Sequence, residues 1–318
     1  NRNGLARRYF QDGDFTLFES YVTYTDSFFD ALDVTLTGGY SFQETFTEGL
    51  TLELGNFPSN VNGYYDIELS GDRVIGGQNN VIVESFASPD ERIISQFARL
   101  NATFDNGIFL NASVRREGSS KLGEDNQIGI FPAASIGTEL TNYFDIDVVN
   151  QLKVRLGFGV TGALPGPNGL AQDLYQYDFA AGGTVNFIRD ANEDLKWEQK
   201  TEINLGFDYG LFENRLTGSL DLYTRNITDF ILEVPVPTDQ FASGSQFQNA
   251  GELQTNGLEF SVSYDVFADQ DLFWNTGLVF DTYNTELKEF LQEETLRANL
   301  GAPGQNGTNM IRVAEGEE

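Results

Sequence analysis

Residues 32 to 42 set the pattern of the whole chain. Leu32, Val34, Leu36, Gly38, Tyr40 and Phe42 fall on one side of an extended backbone, and Asp33, Thr35, Thr37 and Ser41 on the other. Successive side chains of a strand point to opposite faces, so this alternation predicts a strand with one apolar and one polar face. The same period returns at Leu152, Val154, Leu156, Phe158 and Val160 against Lys153 and Arg155, and again through Leu258, Phe260, Val262, Tyr264 and Val266. Ten strands are predicted, near 14–25, 31–43, 93–104, 107–116, 130–140, 150–160, 200–209, 214–225, 257–267 and 273–283. Most are longer than the five or six residues common in soluble sheets, and long enough for the roughly 9–11 residues a tilted strand needs to cross a bilayer.

The connections add a second regularity. Short turns near 27–30, 105–106, 141–149, 211–213 and 268–272 alternate with long links at 44–92, 117–129, 161–199 and 226–256. Keeping the long loops at one end is the habit of an outer-membrane barrel, with short periplasmic turns and long extracellular loops. The expected fold is therefore all-β, an antiparallel transmembrane β-barrel present in part. A half-solvated antiparallel sheet in a soluble β-sandwich gives the same alternation and stays open as an alternative; strand length and loop asymmetry favour the membrane.

In a large barrel the polar side lines the lumen. Arg99, Asn101, Thr103, Asn111, Ser113, Arg115, Lys153 and Arg155 are thereby expected to face the lumen or whatever plugs it. Tyr24, Phe28, Phe29, Tyr143, Phe144, Phe212, Phe267 and Trp274 flank the short turns, where an aromatic girdle meets lipid headgroups. Tyr64, Tyr65, Tyr175, Tyr177 and Phe179 lie in long loops and are candidates for stacking on a sugar or anchoring a partner protein.

Composition narrows the chemistry. A formal net charge of -29 repels nucleic acid, while 27 Phe and 13 Tyr are too many for a solvated acidic tail. The chain has no Cys and no His, which removes thiol nucleophiles, thiolate metal sites, Ser-His-Asp chemistry and the usual zinc sites. Gly157-x-Gly159-x-x-Gly162 has the letters of a dinucleotide fingerprint, but its glycines lie inside a predicted strand and "ALPGPNGL" follows instead of a helix. Asp190, Asn192 and Asp194 are spaced like the start of a calcium loop, yet Leu195 stands where its glycine belongs and Thr201 at the twelfth position. A looser calcium site in acidic outer loops is the one cofactor the letters allow; no catalytic group is expected, and the chain is not read as an enzyme. No apolar run could form a membrane-crossing helix or a signal peptide, and the chain reads as an internal segment.

Four stretches carry a family resemblance: "NASVRREGSSKLGEDNQIGIFPAASIGTEL" (111–140), "LKVRLGFGVTG" (152–162), "NEDLKWEQKTEINLGFDYGLFENRLTGSLDLYTRNITDFIL" (192–232) and "NAGELQTNGLEFSVSYDV" (249–266). In this order they resemble the SusC/RagA-like TonB-dependent outer-membrane transporters. The resemblance implies a C-terminal part of a barrel of about 22 strands, with a plug domain, a TonB box and closing strands outside residues 1–318. It also implies a SusD-like surface lipoprotein, energy from TonB-ExbB-ExbD, and import of oligosaccharides, glycans or oligopeptides across the bacterial outer membrane. A passive porin would share the strands and the loop asymmetry.

Overall fold

The computed structural model describes residues 4–29, 31–59, 65–72, 81–88, 90–178, 183–268, 272–291, 294–297 and 311–316. In chain order the strands are β1 (Leu5–Phe28), β2 (Leu32–Gly55), β3 (Ile82–Ala87), β4 (Glu91–Phe104), β5 (Ile108–Ser119), β6 (Ile128–Glu139), β7 (Val149–Ala163), β8 (Leu174–Asp178) and β9 (Thr184–Arg189). They continue with β10 (Glu198–Leu211), β11 (Leu216–Thr228), β12 (Ile231–Pro235), β13 (Ser245–Asn249), β14 (Gly251–Ala268), β15 (Phe273–Phe290), β16 (Glu294–Arg297) and β17 (Ile311–Ala314). No described helix is long and apolar enough to cross a membrane.

The chain forms two compact units, residues 1–18 with 42–93, and residues 19–41 with 94–318. In the smaller unit β3 pairs antiparallel with β2, from Glu48 opposite Ala87 to Glu53 opposite Ile82. The fully buried Asp72 carboxylate accepts hydrogen bonds from the Gly55 amide (2.5 Å) and from Asn56 Nδ2 (2.6 Å), closing the neck of the loop that leaves β2. A buried carboxylate is tolerable only when donors satisfy it in this way.

The hydrogen-bonded order β1-β2-β4-β5-β6-β7-β10-β11-β14-β15 follows the chain. Each pairing from β5 to β15 with a defined register is antiparallel between sequence neighbours in that order. Such a meander needs only hairpin links on one side. At the β10–β11 turn Phe212, Glu213 and Asn214 take φ values of 55°, 58° and 61°. Left-handed turn residues match the right-handed twist of the strands they join.

The ten long strands of this order overlap the ten predicted ones, with differences in length and in the links. β1 and β2 each run to 24 residues, well past 14–25 and 31–43. The supposed link 44–92 continues β2 to Gly55 and contains β3. The links 161–199 and 226–256 are not bare loops, because they hold the hairpins β8–β9 and β12–β13. Short alternating runs such as "LYQYD" are too brief to declare a strand alone, and pairing with a neighbour fixes them.

Cross-strand packing explains one glycine of the ladder. Arg155 Nε and Nη2 donate to both Asp208 oxygens (2.8 and 2.9 Å), and Nη2 also to Asp221 Oδ2 (3.2 Å). The guanidinium lies over Gly206, where a Cβ would come within 2.6 Å of Arg155 Cζ and 2.7 Å of Asp221 Oδ1. Gly206→Val is expected to displace the guanidinium and cost about 1–3 kcal/mol, toward the lower end because the three charged groups are partly solvated. Denaturant unfolding of the mutant and of Arg155→Gln checks it: the two losses should overlap, not add.

Candidate functional site

The registers place side chains in rows across the sheet. Leu110, Ile136, Leu156, Leu205, Leu222 and Leu258 are successive cross-strand partners on β5, β6, β7, β10, β11 and β14. One residue along each strand, the neighbouring row is Asn111, Ser135, Gly157, Asn204, Tyr223 and Gly257. Because alternate residues face opposite sides, these two rows belong to opposite faces. The apolar row is not covered by protein: Ile136 and Leu156 remain 49% exposed and Leu222 40%. An apolar face of this extent cannot sit in water without cost, and the described residues supply no second apolar layer of the kind a sandwich core requires.

The polar face carries the charges. Besides the Arg155 network, Arg225 Nε donates to Glu202 Oε2 at 2.8 Å, and Lys200 Nζ stands 3.9 Å from the same oxygen. Lys153 Nζ lies 4.9 Å from the Phe109 ring centroid. Ser219 and Ser261 hydroxyls meet at 2.8 Å. Salt links of this kind between neighbouring strands tie the ladder together while leaving the face wettable.

Two hollows open on that face. The larger, about 520 Å³, is lined by Arg99, Asn101, Asn111, Ser113, Lys200, Glu202 and Asn204, with Gly157 and Gly159 among its backbone walls. The smaller, about 180 Å³, adds Lys153 and Arg155 to Asn111, Gly157 and Asn204. The structure thus gathers six of the eight lumen candidates around two adjoining spaces. Arg115 sits higher on β5, donating to Glu117 Oε1 and Ser95 Oγ, and the exposed Thr103 lies near the end of β4; neither lines a hollow. The glycines of the fingerprint lie within β7, so no phosphate-cradling turn exists there.

At the end carrying the long loops, Leu122, Phe131, Leu170, Leu195 and Trp197 form a buried core, with Val160, Leu164, Ile231 and Phe247 packed against it. The segment 190–197 knots the loops around this core. Trp197 Nε1 donates to Gln127 O (2.9 Å) and Asn192 Nδ2 to Phe247 O (2.7 Å). Asn249 Nδ2 donates to Lys196 O (3.0 Å) and Asp229 O (2.8 Å), while its Oδ1 accepts the Lys196 amide (3.0 Å). Lys121 Nζ is satisfied by the Pro165 and Gly166 carbonyls. Sequence reasoning missed this clamp; its faint signal was Leu-Lys-Trp just before a strand.

The same contacts engage the oxygens of the calcium-loop-like spacing at Asp190 and Asn192. Asp190 Oδ2 accepts the Ser243 amide (2.7 Å) and hydroxyl (2.6 Å), its Oδ1 the Ala242 amide (3.2 Å), and Asn192 Oδ1 the Asp194 amide (3.1 Å). These oxygens face hydrogen-bond donors instead of converging on a cation, and no group of three or more Asp or Glu among the described residues could hold a metal. The Ser243 hydroxyl, then its amide, hold the Asp190 carboxyl below its ordinary value. Being depressed in the folded state, it contributes to loop order above the ordinary carboxylate value of about 3.9 and loses that contribution as pH falls through the lower folded value. Hydrogen exchange of the Ser243 amide is expected to accelerate over that acidic window in the wild type, and to show no such step in Asp190→Asn.

Of the loop aromatics, Tyr65 is exposed and its carbonyl accepts Arg8 Nη2 at 3.0 Å. Tyr175 is exposed on β8, edge-on to Phe187 at 5.2 Å, with Asp173 raising its pKa. Tyr64, Phe179 and the side chain of Tyr177 lie outside the described residues. At the opposite end Phe29, Tyr143, Phe144, Phe212, Phe267 and Trp274 are exposed beside the short turns. The Phe267 and Trp274 rings meet with centroids 6.0 Å apart, tilted by 37°.

Long antiparallel strands with an uncovered apolar face, a charged opposite face, aromatics at one end and clamped long loops at the other define the wall of a transmembrane β-barrel. The chain belongs to the TonB dependent receptor-like, beta-barrel family, whose pattern matches residues 1–314, and which places it in the bacterial outer membrane as part of a receptor, not an enzyme. It is 32% identical to "TonB-dependent receptor P3" of Formosa agariphila over 94% of this chain and 30% of that protein. It is 33% identical to "TonB-dependent receptor SusC" of Bacteroides thetaiotaomicron over 58% of this chain and 19% of that protein. Its fold superimposes on "Structure of the RagAB peptide transporter" with TM-score 0.84 at 21% identity, covering 98% of this chain and 33% of that one. The chain therefore spans about a third or less of the length of these relatives.

Proposed function

We propose that this chain is part of the barrel of a TonB-dependent importer that carries oligosaccharides, glycans or oligopeptides across the outer membrane. The rest of the protein supplies a plug domain, a TonB box and the closing strands. A SusD-like surface lipoprotein covers the clamped loops, and TonB-ExbB-ExbD pulls on the plug. The observation that carries this reading is the paired rows: an apolar row suited to lipid backs a polar, charged row suited to a wet or plugged lumen. Arg99, Asn101, Thr103, Asn111, Ser113, Arg115, Lys153 and Arg155 are the lumen-side contacts, and Tyr65 and Tyr175 are loop contacts for cargo or lid. No covalent chemistry is required, since specificity comes from differences in binding.

The test is uptake by cells carrying or lacking the gene, with fluorescent oligosaccharide and oligopeptide pools, before and after collapse of the proton gradient. Gene-dependent uptake that stops on collapse supports the importer. Gene-dependent uptake that survives collapse identifies a passive pore instead.

A further inference from the structure

We infer that the larger hollow is a station for a carboxylate carried by the cargo, a reading that rests on the importer function above. Its floor is the first observation. Some glycines of the sheet lie under rings: the Tyr223 ring covers Gly257, and Phe97 reaches within 2.5 Å of where a Cβ on Gly39 would stand. At Gly157 no atom comes within 4 Å of that position, and at Gly159 only Ala133 Cβ does, at 3.7 Å. The sheet leaves this floor bare, and the space above it, about 520 Å³, is in the range of small-molecule sites.

The rim is the second observation. Arg99, Asn101, Ser113 and Asn204 make no side-chain hydrogen bond among the described residues. Glu202 is shared between Arg225 at 2.8 Å and, more loosely, Lys200 at 3.9 Å, so the two cations that line the hollow, Arg99 and Lys200, outnumber its one carboxylate, which Arg225 already pairs. In a chain with only 19 Lys and Arg against 48 Asp and Glu, a locally cationic recess is selective for anions that the rest of the surface repels. A guanidinium, an ammonium and amide donors are the groups a carboxylate pairs with most strongly, and the bare backbone floor accepts a planar group lying flat. A glutamate side chain or an acidic sugar presents that group; a neutral sugar would leave the two cations unused.

The experiment uses the full-length protein in detergent, titrated calorimetrically at low salt with N-acetyl-triglutamate amide and its neutral isostere N-acetyl-triglutamine amide. The glutamate peptide is expected to bind about tenfold tighter or more. Arg99→Gln with Lys200→Gln should abolish the preference. Gly157→Trp, for which the structure has room, should fill the hollow and abolish binding while the variant still folds. Equal binding of the two peptides overturns the inference, as does a preference that survives these substitutions. A photocrosslinker at Asn204 that captures only another segment of the same protein, with peptide present, also overturns it and assigns the hollow to an internal contact. Gene-dependent uptake, measured separately, leaves the importer reading standing in each of those cases.

Discussion

Trp197→Ala is expected to loosen the long-loop end of the molecule while the strands persist. Trp197 is 4% exposed, meets Phe131 edge-on at 5.2 Å, and packs with Leu122, Leu170 and the fully buried Leu195. Truncating a buried Trp costs about 3–5 kcal/mol, and here the Gln127 carbonyl also loses its indole donor. Asn192, Asn249 and Lys121 hold the same loops by backbone carbonyls, so the damage should spread to 165–172 and 229–250. Hydrogen exchange should show lost protection in those segments and unchanged protection in β10 and β11. Uniform loss along the strands would mean that the loop core is not a separate cooperative unit.

The second large effect concerns the apolar row. Leu205→Arg puts a charge where lipid is expected, at a cost of about 2–4 kcal/mol near the bilayer midplane. Asn204→Arg, one residue away on the polar face, should be close to neutral. Folded yield in the outer membrane separates them: the first variant should fall sharply and the second should not. Equal yields would contradict the assignment of faces.

Much of this was legible in the letters because a strand between lipid and water must alternate, and ten long strands wrote that period plainly at Leu152 to Val160 and Leu258 to Val266. That Arg99, Asn111 and Arg155 share the polar face followed from the same parity. What the letters hid depends on register. That Arg155 would lie across Gly206 to reach Asp208 and Asp221, or that Gly157 would stay bare while Gly257 is covered, requires knowing which residue stands opposite which. The loop core was hidden for a related reason: Leu122, Leu170 and Trp197 are far apart in sequence and share no period. Asp190 and Asn192 have the spacing of cation ligands, but Ser243 and Phe247, some fifty residues on, turn them into clamps.

The face assignment itself can be measured directly. Since residues 1–318 contain no cysteine, Asn204→Cys and Leu205→Cys in the full-length protein, against a background free of other cysteines, each receive one fluorescent maleimide before reconstitution into vesicles with nitroxide-bearing lipids. The account predicts strong quenching at 205 and little at 204. Equal quenching at both, or stronger quenching at 204, would contradict it.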